Sequence, residues 1–437
     1  MIPKISSLFK TVKDKNGTGR MVAFMSFSSL LANVLTIVSG LLIARWLLPE
    51  ELGLFTSFNV LTSYIILVQL GVPSGLSRQL PFYMGSKEEE KARQTAAVAN
   101  HWGLITGLAC FGLSLAVAFY FLAVKNYFFA AGTFVIGISA FQGLYVTKYL
   151  KILYRSNNDF NKLSLIDIIS ALVSFAGIFL VWKYKFYGLC MRAAISVAVD
   201  LILAYQWRPI KVKYKWDKNY YKELMKIGFP IYWVANIYSL WPMVQRTVVV
   251  SLGGTKALGL FSLAVIVETG MKTLTNAISN ISFPKMAFAW GQGASFINLL
   301  KVPLKPMIVS VIVNTVMAVA GWFLLPFFVQ KLLPNYIEGT RAAQWMLWVG
   351  WLGSFSVFSN VYMVIQKNMD RLWSYIAGIA AWLLVCFVMY RIIGFNMVIF
   401  PIATLIGYLF IYLVDAVNFR RYYLFFVNRH SQNIAAK

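Results

Sequence analysis

The stretch from Ala44 to Ala96, ARWLLPEELGLFTSFNVLTSYIILVQLGVPSGLSRQLPFYMGSKEEEKARQTA, decides how the chain is read. It closes one hydrophobic run at Arg45 and turns at Pro49-Glu50-Glu51. A second apolar run then carries the chain back to a charged loop, with Arg78 near its end. Part of the stretch recurs in the second half. Leu52-Gly53-Leu54-Phe55 returns as Leu258-Gly259-Leu260-Phe261, and the same shift of 206 residues puts Phe82 on Phe288 and Gly85 on Gly291. Two short matches in one register point to an internal repeat.

Composition narrows the class. Of 437 residues, 59% are hydrophobic and 13% charged, too little charge to cover a soluble core of this size. Apolar runs of about 18–25 residues recur along the whole chain, each long enough to cross a bilayer. Lipid offers no hydrogen-bond partner to the backbone, so a crossing segment is a helix or belongs to a closed barrel, and runs this long without alternation are helices. The expected fold is therefore an all-α polytopic membrane protein. We count twelve transmembrane helices, roughly 21–44, 54–79, 97–123, 128–150, 163–182, 187–206, 228–250, 258–281, 302–326, 342–365, 372–390 and 396–417. Six spans in each half are expected to form two parallel six-helix bundles. No cleavable signal is read in the basic first 20 residues. Cys110, Cys190 and Cys386 lie inside apolar runs and read as small buried hydrophobes.

Lys and Arg set the orientation. The tails and alternate loops hold about 28 basic residues against about 8 in the opposite loops, which makes both termini cytoplasmic. The domain plan is a cytoplasmic tail (1–20), an N-terminal bundle (21–206), a basic cytoplasmic linker (207–227), a C-terminal bundle (228–419) and a second tail (420–437). Six spans per half give both halves the same direction, with a repeat axis along the membrane normal. The net charge of +25 follows largely from this topology and requires no nucleic acid; anionic membrane lipids are the natural counter-charge.

The corner ARWLLPEELGLF, with the following LGVPSGLSRQLPFYMG and SKEEEKARQ, resembles the amino-terminal signature of the polysaccharide-export family. This is the O-antigen flippase type, within the superfamily of multidrug, oligosaccharidyl-lipid and polysaccharide exporters. The resemblance implies a multi-pass protein of the bacterial inner membrane. It also implies a substrate, undecaprenyl-diphosphate-linked oligosaccharide, moved from the cytoplasmic to the periplasmic leaflet by two six-helix bundles that open alternately around a central cavity, without an enzymatic step. A polysaccharide polymerase or other assembly proteins would be its partners.

The residues themselves point to polar groups that face the interior. A charge near mid-bilayer costs roughly 2.5–3.5 kcal/mol on insertion scales, so each needs a partner, water or a task. Arg78 reads either as snorkelling to headgroups or as a diphosphate clamp at the inner mouth of a cavity; the family pattern also carries a basic residue there. On helix seven, Tyr232, Asn236, Ser239, Met243 and Arg246 share one face, beside Pro242, which we expect to act as a hinge. Glu268 and Lys272 are four apart with the acid first, the favourable order for a helical ion pair, and Thr275 and Ser279 extend their stripe. On helix one, Ser26, Ser29, Asn33, Thr36 and Gly40 form a stripe suited to close helix packing or to a sugar-facing wall. The expected substrate-binding set is thus Arg78, Arg246, Lys272, Glu268, Asn33, Asn236 and Ser239. Asp167, Asp200, Arg192 and His101 read as structural, although Asp200 could accept a coupling proton.

The rival readings are an ion-coupled small-molecule exporter of the same superfamily, a major-facilitator transporter and a membrane-embedded glycan-processing enzyme. Helix one lacks the acid expected of the drug exporters. The loop after helix two lacks the glycine- and arginine-rich pattern of the major facilitators. The longest outer loop, about QKLLPNYIEGTR, holds one acid, Glu338. No metal-ligand cluster, Walker loop or GxGxxG is present, so no cofactor is expected beyond a coupling ion, Na⁺ or H⁺, between which the sequence does not choose.

Overall fold

The computed structural model describes residues 18–212, 215–292, 295–365 and 367–435. Among them the regular elements are helices. They are α1 (Thr18–Trp46), α2 (Pro49–Ile65), α3 (Val72–Gly85), α4 (Glu89–Ala123), α5 (Tyr127–Phe141), α6 (Lys151–Ser156), α7 (Phe160–Ala176) and α8 (Ile178–Gln206) in the first half. The second half holds α9 (Lys218–Gly291), α10 (Phe296–Leu332), α11 (Thr340–Gly353), α12 (Asn360–Val364), α13 (Asn368–Ile393) and α14 (Ile399–Ala435). Short 3-10 and π turns join several of them, so that α2 runs into α3, α5 into α6 and α11 into α12.

Among the described residues ten helical stretches are long and apolar enough to cross a membrane, and the protein is a multi-pass membrane protein. The two further crossings in the expectation of twelve have local explanations. The fifth expected helix is divided near Gly177, so α7 alone is short. The chain turns from there through Lys185, whose φ of 52° separates 178–184 from 186–206. Helices seven and eight follow one another without a loop in α9, separated by a kink at Gly254, where φ is 73° and glycine avoids the Cβ clash of the left-handed region.

The chain forms two compact units: residues 1–46 with 58–233, and residues 47–57 with 234–437. The expected bundles met at a linker, 207–227, whereas the start of α2 packs with the second unit. Its reason is the repeated LGLF. Within that unit a Cβ on Gly53 would stand 1.7 Å from the carbonyl oxygen of Thr255, and one on Gly259 would stand 1.8 Å from that of Pro49. The two copies of the repeat therefore cross backbone to backbone, which a bare glycine permits. Thr56 and Ser262, 206 positions apart, place their hydroxyls 3.4 Å from one another at the same crossing.

Pro73 and Pro401, which fall inside expected spans, stand in the first turns of α3 and α14, where the missing N–H costs nothing. The interruption precedes Pro73: a 3-10 turn at Ile66–Gln69 leads to left-handed Leu70 (φ 54°) and Gly71 (φ 98°). Inside a membrane the freed carbonyls need partners, and the first unit supplies them. Tyr232 donates its hydroxyl to Leu67 at 2.5 Å, the Trp102 indole N–H donates to Gln69 at 3.2 Å, and the Gln69 amide donates to Ile66 at 2.8 Å. The linker is also held down in this unit. Trp216 packs on His101 and Tyr221, and Tyr221 on Trp102, with ring centroids about 5 Å apart. Tyr83 donates to Glu223 at 2.5 Å; that bond and burial push its phenol up to about 12.

Candidate functional site

Polar interior groups gather in two places, one in each unit. In the second unit α9 carries Glu268 and Lys272 one turn apart. Their ion pair forms at 2.5 Å, and Lys272 Nζ also donates to the Tyr408 hydroxyl at 2.9 Å. The lysine side chain is a third exposed, against 16% for its acid, so the pair is anchored on one side and open on the other. It opens into a cavity of about 300 Å³. Thr275 and Ser279 continue the stripe expected from their spacing into the cavity wall, and Asn276 joins them there.

Other elements complete the wall. The 3-10 turn Ser354–Ser359 and the start of α12 bring Ser356, Ser359 and Asn360. Arg371 and Tyr375 come from the first two turns of α13, and Tyr408 and Tyr412 from α14, their rings stacked at 6.3 Å. Tyr412 donates to the Leu352 carbonyl at 3.0 Å, which fixes its ring against the wall. The Arg371 guanidinium lies 5.9 Å from the centre of the Tyr375 ring. Asn360 is buried, and its Nδ2 has no partner among the described residues. Behind the wall, Asn314 donates to Ser354 at 2.7 Å, and Asp415 accepts from Tyr362 at 2.8 Å and from Ser359 at 3.3 Å. The result is a donor-rich chamber with two cations and one neutralised acid, chemistry that suits anionic or heavily hydroxylated ligands.

The second cluster lies in the first unit. Lys151 Nζ stands 2.9 Å from Asp167 and 3.1 Å from Asp200, and Asp200 accepts from Gln142 at 2.7 Å and from Ser170 at 3.3 Å. Asp200 is buried, with 2% of its surface exposed. A π turn over Gln142–Leu150 aims both Gln142 and Lys151 at it, since the wider turn rotates the following residues out of α register. Ser28, Ser29, Asn33 and Ser196 line the adjoining cavity of about 360 Å³.

The expected substrate-binding residues are therefore distributed. Glu268 and Lys272 share the second unit's chamber. Arg246 lies half-buried on α9 within electrostatic reach of Glu268, with no hydrogen bond or ion pair among the described residues. Asn236 is half-buried and Ser239 exposed on the same helix. Asn33 belongs to the cavity beside Lys151. Arg78 is exposed on α3 and unpaired among the described residues. Backbone torsions are helical through Pro242; the one non-helical residue of α9 is Gly254. In the helix-one stripe Thr36 bonds back to its own helix at Ala32, and the side chain of Ser26 lies outside the described residues. Arg192 donates to the Ser174 carbonyl at 2.7 Å.

Two cations of these clusters escaped the sequence reading, as did the polar and aromatic residues around them, Gln142, Asn360 and Tyr408 among them. Lys151 and Arg371 both sit where the topology count places cytoplasmic loops, so they were spent on orientation. The usable signals were the two unexplained acids, Asp167 and Asp200, which need a cation, and the nearness of Arg371 to an apolar run.

Comparison with known proteins supports the fold and adds the family. The solved structures most informative here are transporters of the MOP superfamily. One is an inward-facing conformation of a multidrug resistance MATE family transporter, with a TM-score of 0.72 and 14% identity over 91% of this chain and 96% of that one. An outward-facing conformation of such a transporter gives 0.60 at 14% identity, over 93% and 96%. A MOP superfamily transporter from Pyrococcus furiosus, described as having a binding pocket of reverse polarity that suggests a different function, gives 0.59 at 15% identity, over 92% and 95%. Identities this low establish a common fold. None of the curated proteins is detectably similar in sequence. The model of one family, described as polysaccharide biosynthesis protein, matches residues 42–295, more than half of the chain and the whole of the stretch that opened the reading. This protein, an all-helical membrane protein with the MOP-superfamily fold, belongs to that polysaccharide biosynthesis family.

Proposed function

We propose that the protein is a flippase that carries an undecaprenyl-diphosphate-linked oligosaccharide from the cytoplasmic to the periplasmic leaflet of a bacterial inner membrane, supplying O-antigen, capsule or exopolysaccharide synthesis. The observation that carries this reading is the family match together with a cationic, donor-rich chamber inside the second unit. A diphosphate and many hydroxyls find no solvation in lipid. Lys272 and Arg371 offer charge, Asn360 and the serines offer hydrogen bonds, and the polyprenyl tail can stay in the bilayer. The two helical halves open alternately to either side, with Pro242 as the bending point and Arg78 and Arg246 adding positive charge along the route. Both termini face the cytoplasm, Na⁺ or H⁺ couples the cycle, and polysaccharide polymerase or assembly proteins receive the product.

The second reading is an ion-coupled exporter of small molecules. The multidrug transporters that share the fold favour it, whereas two cations facing one chamber disfavour cationic drugs. A leaflet assay for lipid-linked oligosaccharide in cells depleted of the protein separates the two. Accumulation of the oligosaccharide in the cytoplasmic leaflet is expected. An unchanged leaflet distribution, with new drug sensitivity, would establish the exporter instead.

A further inference from the structure

A further cavity of the first unit has no part in either cluster. It measures about 540 Å³ and lies where the start of α4, the π turn after α5, the end of α8 and the linker meet. Its walls are largely apolar and aromatic. Phe141, Tyr145 and Tyr149 form a continuous ring stack, with centroids 5.5 and 5.6 Å apart, and Leu104, Leu201 and Ile202 face them. The polar groups collect at the end nearer the linker. Arg208 lies 3.7 Å over the Tyr205 ring and donates to the Tyr205 carbonyl at 2.6 Å, which holds its guanidinium at the mouth. Among the described residues no Asp or Glu lines the cavity, so that charge has no acid partner among them there. Ile202 and Tyr205 line the slot and are about half exposed, so the slot opens onto the apolar outer surface of the bundle.

A greasy slot open to the side, with one fixed cation at its end, has the polarity profile of a phospholipid. A soluble sugar or nucleotide would leave its hydroxyls unpaired against Phe141, Leu104 and Leu201. A zwitterionic headgroup would bring a second positive charge up to Arg208 and to the exposed Lys211 beside it. We propose that this cavity binds one anionic phospholipid, its phosphate on Arg208 and an acyl chain along the tyrosine stack. The bound lipid then packs under Val212 and pins the linker, whose Trp216 and Tyr221 already lean on α4.

Native mass spectrometry of the full-length protein, extracted from bilayers of mixed phosphatidylglycerol and phosphatidylcholine, tests this. The wild type is expected to retain one phosphatidylglycerol in preference to phosphatidylcholine. Arg208→Gln should lower that preference about fivefold, the contribution of one basic residue near an anionic headgroup, while still retaining a lipid. Leu201→Trp, which fills the slot, should lose the lipid altogether. Melting temperatures of both variants near that of the wild type show that the fold survives; a variant that melts early is replaced by Arg208→Lys, which should keep the preference. Equal retention of the two lipids by the wild type would overturn the proposal. So would competition by glycerophosphate as strong as that by the intact lipid, since the site would then be a phosphate site without an acyl slot.

Discussion

Lys272 shows how one side chain can be both structural and available. Its ammonium spends two of three protons on Glu268 and Tyr408 and presents the third to the chamber. Replacing Lys272 by Ala, or Arg371 by Gln, is expected to abolish surface glycan export while the protein still inserts; normal glycan in both variants would remove the chamber from the mechanism. Glu268→Gln leaves Lys272 without its counter-charge in a partly buried site. A loss of about 1–3 kcal/mol is expected, less than for a fully buried pair because the lysine is one-third exposed. Thermal unfolding of the purified protein measures it. In the first unit the stakes are higher. Lys151→Met leaves the buried Asp200 without its cation, and a loss of about 3–5 kcal/mol is expected on the same measurement. The Glu268–Lys272 pair was legible from spacing because both partners lie on one helix. Arg371 and Lys151 were not, because a cation next to an apolar run looks the same whether water or a neighbouring helix receives it.

At the scale of elements, the broken second helix and the crossing of the repeats do the positioning. The Ile66–Gly71 interruption survives in the membrane because three side chains take up its carbonyls. Tyr232→Phe removes one of them and leaves the Leu67 oxygen unpaired, at an expected cost of about 1–3 kcal/mol; an unchanged melting temperature would show that water or another donor serves there. Gly259→Ala drives a Cβ into the Pro49 carbonyl, so the crossing must open, with an expected loss of about 1–3 kcal/mol or more. The sequence carried both features as signals, Leu70-Gly71-Val72-Pro73 and the repeated LGLF. It did not say that the repeats touch. Similarity at a fixed interval marks kinship between segments, whereas contact depends on how the helices pack.

At the scale of the whole molecule, membership of a polysaccharide biosynthesis family and a transporter fold support a transporter, whose proposed cargo is a glycan precursor. The expected outcome of depletion is oligosaccharide held at the cytoplasmic leaflet, and restoration by the wild type but not by Lys272→Ala ties the defect to the chamber. Hydropathy and the 44–96 signature were enough to establish an all-helical membrane protein and its family, since each depends on composition along a single segment. Which charges share a chamber was decided by packing. Asn33 joined Lys151, Asp167 and Asp200, while Lys272 found Arg371 and Tyr408, residues 99 and 136 positions away in the chain. Local pattern specifies a helix because its hydrogen bonds span four residues. A polar site in lipid draws on several helices at once, and their meeting exists only in the folded chain.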